Sequence, residues 1–191
     1  MFYRFGRAII KLLNLILYNI HVEGEENIPE TGGVVLCPIH ISNYDPLAVA
    51  THMNRQVHFL AKAELYKNFI VRKVLLAVGT IPVDRGKVSL ETLKESLRVL
   101  KNGEILGIFP EGTRVKNGER KKPMEGFVVF ALKTKSPILP VHIEGEYKFR
   151  GKINIKFGKP IELNEYYGKK VKPEEMSKIS EKIMDIVYDL Q

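Results

Sequence analysis

A single cysteine, Cys37, stands in 191 residues, so no intrachain disulfide framework is possible. The five histidines (His21, His40, His52, His58 and His142) form no His-x-x-x-His or Cys/His pattern, which argues against a zinc site. There is no tryptophan, and no RNA-recognition or helix-turn-helix signature, so nothing points to nucleic acid as a partner. No internal repeat, low-complexity tract or long linker divides the chain, and its length suits one domain with a full core. No apolar run is long and uninterrupted enough to cross a bilayer, which takes roughly 20 residues.

The charge is one-sided. Thirty basic residues against 22 acidic ones give a formal net charge of +8, which attracts polyanions such as anionic headgroups and phosphorylated ligands. Acid is absent from the first twenty residues, MFYRFGRAIIKLLNLILYNI. Their polar positions, Arg4, Arg7, Lys11, Asn14 and Tyr18, advance by 3, 4, 3 and 4, which is one stripe on a helix. The remaining surface, from Phe2 to Leu17, is apolar. A wide apolar face beside a narrow basic one suits a helix lying in a membrane interface. Two alternatives stay open: a helix packed on the protein's own core, and a signal peptide, although no small-residue cleavage site follows.

Beyond residue 33 short apolar strands alternate with helices. Val34–Pro38 reads as a buried strand, and a helix opens near Asp45-Pro46. His58–Ala61 is a strand. Glu64–Val78 is a helix with apolar Leu65, Phe69, Val74, Leu75 and Val78. Gly79–Asp84 is strand-like. Ser89–Leu100 is a helix, with Leu90, Leu93, Leu97 and Leu100 at helical spacing, Ser89 as cap and Asn102-Gly103 as stop. Glu104–Phe109 is a strand. Phe127–Lys133 suits a helix, though its β-branched residues leave a strand open. Ile138–Ile143 and Lys152–Phe157 are strands, and Pro173 opens a last helix. The expectation is a single α/β domain: a mixed, largely buried β-sheet flanked by helices, over residues 21–191, behind an amphipathic helix over 1–20. Residues 114–124 are expected as an exposed, mobile loop.

Four segments carry candidate chemistry. The first is His40-Ile-Ser-Asn-Tyr-Asp45, directly after a buried strand, where ligands of α/β sheets bind. Five residues turn through about 140° on a helix, so this pair meets only across a turn. An imidazole can take a proton from a hydroxyl near neutral pH, and a carboxylate fixes its tautomer. The spacing alone is cheap, since His21 and Glu26 share it, and Asp45 before Pro46 also suits a helix N-cap. The second runs Gly79-Thr-Ile-Pro-Val-Asp84-Arg85-Gly86. It ends in a turn whose arginine suits bidentate phosphate binding or plain exposure. The third is Phe109-Pro-Glu111-Gly112-Thr113-Arg114. Gly112 admits close backbone approach, and Thr113, Arg114 and backbone amides can donate to a phosphate or an oxyanion. Glu111 can accept from a glycerol hydroxyl; a β-turn with a salt bridge is the other reading. The fourth is Ile138-Leu-Pro140-Val141, where a proline inside an apolar run suggests an edge strand or a bulge.

Together and in this order, the four segments resemble the blocks of the glycerolipid acyltransferase family typified by 1-acyl-glycerol-3-phosphate acyltransferase, over about residues 20–165. His40 and Asp45 match its His-x4-Asp block, Gly79 to Arg85 its second block, and Phe109 to Arg114 its Phe-Pro-Glu-Gly-Thr-Arg block residue for residue. Pro140 matches the hydrophobic-Pro-Val run. The resemblance implies that His40 is a general base oriented by Asp45. It implies that Arg85, Glu111, Gly112, Thr113 and Arg114 bind the acceptor's phosphate and glycerol. It implies no metal, no cofactor and no covalent acyl-enzyme. The donor would be acyl-CoA or acyl carrier protein. The partners would be a membrane lipid acceptor and an anionic membrane surface, on the cytoplasmic face of the cell membrane in peripheral or monotopic attachment. Met124 and Glu125 depart from the pattern, standing where the family often has a basic residue. Other acceptors, a thioesterase using the same base, and a non-catalytic lipid-binding protein are the rival readings.

Overall fold

The computed structural model describes residues 2–84, 89–116 and 118–190. Helix α1 (Phe2–Leu17) leads into strand β1 (Tyr18–Glu23). There follow β2 (Val34–Pro38), α2 (Asp45–His52), β3 (Val57–Lys62), α3 (Phe69–Ala77), β4 (Ile81–Val83), α4 (Leu90–Lys101) and β5 (Ile105–Gly107). The chain closes with α5 (Gly126–Thr134), β6 (Ile138–Gly145), β7 (Gly151–Phe157) and α6 (Pro173–Asp189).

Seven strands form one sheet in the order β1-β7-β6-β2-β5-β3-β4. The five from β6 to β4 are mutually parallel, β7 is antiparallel to β6, and β1 runs parallel to β7. The fold is thus a single mixed α/β sheet domain flanked by helices. One apolar core joins the sheet to α4, α5 and α6; the other joins it to α2. The connections β2-α2-β3 and β3-α3-β4 advance in one direction across the sheet. Right-handed crossovers therefore put α3 on the α2 face, and the return connections put α4 and α5 on the opposite one. Helix α1 packs on α2 from outside. Among the described residues no helix is long and apolar enough to cross a membrane.

The strand Val34–Pro38 and the Ser89 cap form as their residue types dictate: the Ser89 side chain accepts from Thr92 N–H at 3.0 Å. Three expectations need correction. The first helix stops at Leu17, and Tyr18–Glu23 is an edge strand whose exposure alternates residue by residue. The helix expected over 64–78 is broken. Ala63–Lys67 forms a 3₁₀ turn, and Asn68 restarts an α-helix by accepting from the amides of Ile70 and Val71. Pro140 is neither on an edge nor in a bulge, because β6 lies between β7 and β2 and pairs in register through it. Its carbonyl faces the β7 side and accepts from Gly158 N–H at 2.9 Å, and β7 has ended at Phe157, so no ladder bond there needs the missing proline N–H. The described residues of the loop over 114–124 are mostly exposed, yet several are tied down. Val115 is buried, and Arg120 and Lys122 form ion pairs with Asp189 and Glu181 of α6.

Candidate active site

His40 and Asp45 meet at the C-terminal end of β2. Asp45 Oδ2 lies 2.8 Å from His40 Nδ1, and the same oxygen accepts from the amides of Ile41 and Ser42 at 2.7 Å each. Asp45 is fully buried and His40 nearly so. The carboxylate thus closes the turn that carries the histidine, in addition to holding its ring. That leaves Nε2 as the ring nitrogen available to a substrate proton. The helix-cap expectation for Asp45 does not hold. Asp45 is the first residue of α2, Tyr44 is the N-cap, and the carboxylate turns back onto the preceding turn, away from the first-turn amides.

The His40 ring stacks on Phe109 at 4.1 Å between centroids, and Phe109 stacks on Phe59 at 5.7 Å. Phe59 lies over Gly107, where a Cβ would stand 2.4 Å from its ring, so glycine at that position admits the stack. Phe59 and Phe109 belong to the core on the α2 face, and this places the imidazole on that side of the sheet.

The third segment arrives beside His40 because β5 pairs with β2. Val115 N–H donates to His40 O at 2.7 Å. Glu111 is buried; its Oε1 accepts from His40 N–H and from the Tyr188 hydroxyl, both at 3.4 Å, while Oε2 makes no hydrogen bond. Burial raises its carboxyl to about 7, against weaker opposing contributions from those hydrogen bonds. Gly112 adopts φ +67°, which L side chains rarely take, and its N–H donates to Phe109 O at 3.1 Å. That amide is therefore already used inside the turn. Thr113 and Arg114 lie exposed on the same turn. Arg85 lies outside the described residues.

Sequence reasoning missed Tyr147. Its ring packs edge-on against Tyr44 and Tyr18, each at 5.4 Å. Its hydroxyl is buried without a hydrogen bond of normal geometry, as is Asp45 Oδ1. Burial, and then the Asp45 carboxylate facing it, push the phenol well above its ordinary range. The available signal was its place: Tyr147 follows β6 at the same end of the sheet as His40. Tyr44 in turn donates to Asn14 of α1 at 2.6 Å, and Asn14 donates to Thr51 of α2 at 3.2 Å.

A buried carboxylate–imidazole pair stands at the strand ends of an α/β sheet, an arrangement chemically suited to general-base work. Residues 19–144 match the family model described as Acyltransferase. The chain is 30% identical over 165 residues to the 1-acyl-sn-glycerol-3-phosphate acyltransferase of Bacillus subtilis, covering 83% of this chain and 82% of that protein. It is 36% identical over 146 residues to the protein of the same name from Borreliella burgdorferi, over 75% of this chain and 58% of that one. The crystal structure of the 1-acyl-sn-glycerophosphate (LPA) acyltransferase, PlsC, from Thermotoga maritima aligns with a TM-score of 0.72 at 26% identity, over 98% of this chain and 77% of that chain. The chain belongs to the acyltransferase family and is an enzyme of that class.

Proposed function

We propose that the enzyme transfers a fatty acyl group from an acyl thioester, acyl-CoA or acyl carrier protein, to the free hydroxyl of lysophosphatidate, forming phosphatidate for phospholipid synthesis. The observation that carries this is the 2.8 Å contact of Asp45 with His40 Nδ1, which leaves Nε2 free to act as base. The acyltransferases of Bacillus subtilis and Borreliella burgdorferi, named for 1-acyl-sn-glycerol-3-phosphate, support the acceptor.

In the reaction, the acceptor oxygen attacks the thioester carbonyl while His40 Nε2 takes the hydroxyl proton. The imidazolium that forms is steadied by Asp45. The tetrahedral intermediate then expels the thiolate, and the proton returns to that sulfur. Ester and thiol are the products, and neither metal nor cofactor enters the balance. Proton transfer of this kind contributes roughly 10²–10⁴-fold, and positioning must supply much of the rest. Arg114, exposed beside the His40 turn, and Arg85 are assigned to the acceptor phosphate, with Thr113 donating on the same turn. Glu111 supports the His40 backbone, and its second oxygen is the one left for a glycerol hydroxyl.

Helix α1 supports attachment to a membrane surface. Arg7 and Asn14 of its polar stripe turn inward, Arg7 donating to Met53 O and Asn14 bonded to Tyr44 and Thr51. Phe5, Leu12, Leu15 and Ile16 are each more than half exposed on the outside. A helix with its polar face on the protein and its apolar face outward suits one leaflet of an anionic cytoplasmic membrane, in peripheral or monotopic attachment. Mass spectrometry of products from mixed acyl donors and several lysolipid acceptors tests the assignment. Phosphatidate from lysophosphatidate is the expected product. Free fatty acid regardless of acceptor would favour a thioesterase, and preferential use of another acceptor would reassign the substrate.

A further inference from the structure

The second concentration of exposed apolar surface lies on α3 and the turn before it. Leu65, Phe69, Ile70, Val71, Val74 and Leu76 are all exposed, and α3 buries none of its residues. Lys67, Arg72 and Lys73 stand there against a single acid from Ala63 to Val83, Glu64 on the turn. Lys73 Nζ sits 4.4 Å above the Phe69 ring, so the cation lies over the apolar surface. A nine-residue helix without a packed face is marginal in water on propensity alone, even with the Asn68 cap. Helix α3 therefore calls for a cover.

We propose that α3 is a second membrane-docking element, whose apolar side chains enter the acyl region of an anionic leaflet while Lys67, Arg72 and Lys73 meet its headgroups. Three observations favour lipid as the occupant. The right-handed crossover puts α3 on the sheet face that carries α2 and, outside it, α1, and α1 also turns its apolar side outward. The net positive charge, three cations against Glu64 from Ala63 to Val83, matches anionic lipid. The His40 ring stacks into the core on this same face, through Phe109 and Phe59, and α3 begins shortly after β3 ends at the catalytic end of the sheet. The second and third points rest on the reading of the enzyme as one that draws its acceptor from a membrane. Docked through both helices, the enzyme would hold His40 at a fixed height over the leaflet, where α1 alone would leave it free to roll.

The absence of tryptophan makes the test clean. Phe69→Trp, Leu12→Trp on α1 and Ile186→Trp on the opposite face each carry one reporter. Vesicles of phosphatidylglycerol and phosphatidylcholine should shift the emission of the first two to the blue and shield them from acrylamide, leaving the third unchanged. Phe69→Glu with Ile70→Glu should weaken vesicle partition at least tenfold, while turnover of a short-chain soluble acceptor stays the same. A silent Phe69→Trp beside a responsive Leu12→Trp overturns the role of α3 and leaves α1 standing; silence from both overturns the membrane reading as a whole. A Phe69→Trp emission already blue without vesicles, together with a dimer by light scattering, assigns the face to a second copy and also overturns the proposal, as does unimpaired partition of the double variant.

Discussion

Asp45 holds His40 with the same carboxylate oxygen that accepts the Ile41 and Ser42 amides, so one atom fixes both the ring and the turn beneath it. An amide in its place keeps an acceptor for those N–H groups but loses the charge that stabilises the imidazolium. Asp45→Asn should lower kcat by about 10²–10⁴-fold, with thermal stability little changed. Steady-state kinetics beside a melting curve separate the two, and a collapse of the melting temperature matching the activity loss would assign Asp45 a structural role instead.

Tyr147 and the second oxygen of Asp45 are both buried and lack a hydrogen bond of normal geometry. A small shift would pair them, and the phenol would then restrain the carboxylate from rotating off His40. Tyr147→Phe should lower kcat several-fold, leave KM for the acceptor nearly unchanged, and cost little stability, since a poorly paired buried hydroxyl contributes little. In the Asp45→Asn background the same change should have no further effect on kcat; an equal loss in both backgrounds would uncouple Tyr147 from Asp45.

How much of this was legible in the sequence divides along physical lines. The buried strands and the Ser89 helix were, because periodicity and caps are local. The end of α1 at Leu17 was not, although Tyr18–Glu23 alternates at period two, because the apolar run before it reads on smoothly as helix to residue 20. The break at Asn68 was missed because Glu64–Val78 suits a helix by composition, and only the Asn68 side chain, accepting from Ile70 and Val71, marks the restart. In the site, His40 and Asp45 could be paired only through turn chemistry and order of motifs, and the structure brings them together. The neighbourhood of Glu111 and His40 depends on β5 pairing with β2, a long-range fact. Tyr147 had no motif at all, for its relation to Asp45 exists only once β6 and α2 are placed.

Glu111 gives a pH-dependent stability. Its carboxyl is raised by burial from 4.5 to about 7 in the folded chain. The folded state thus binds the proton more tightly than the unfolded state, and stability falls as pH rises between those values. Below about 4.5 the penalty is absent; above about 7 it is complete. At ~1.4 kcal/mol per pH unit, it reaches about 3 kcal/mol at most. Glu111→Gln should remove it, so the variant gains stability over the parent as pH goes from 5 to 8. Chemical denaturation across that range measures the difference, and parallel curves for parent and variant would contradict the assignment.

Arg114 stands exposed on the turn that Val115 pins to His40. If it binds the acceptor phosphate in ground and transition state alike, Arg114→Ala should raise the acceptor's KM about tenfold or more with kcat nearly unchanged. Kinetics with varied lysophosphatidate read this out, and an unaltered KM would remove Arg114 from the phosphate site.

The general-base role of His40 is the step on which the mechanism stands. Turnover of His40→Ala with lysophosphatidate and acyl-CoA, measured as phosphatidate formed per enzyme on protein whose circular dichroism and melting temperature match the parent, should fall by about 10³-fold or more. Turnover within a few-fold of the parent would contradict it.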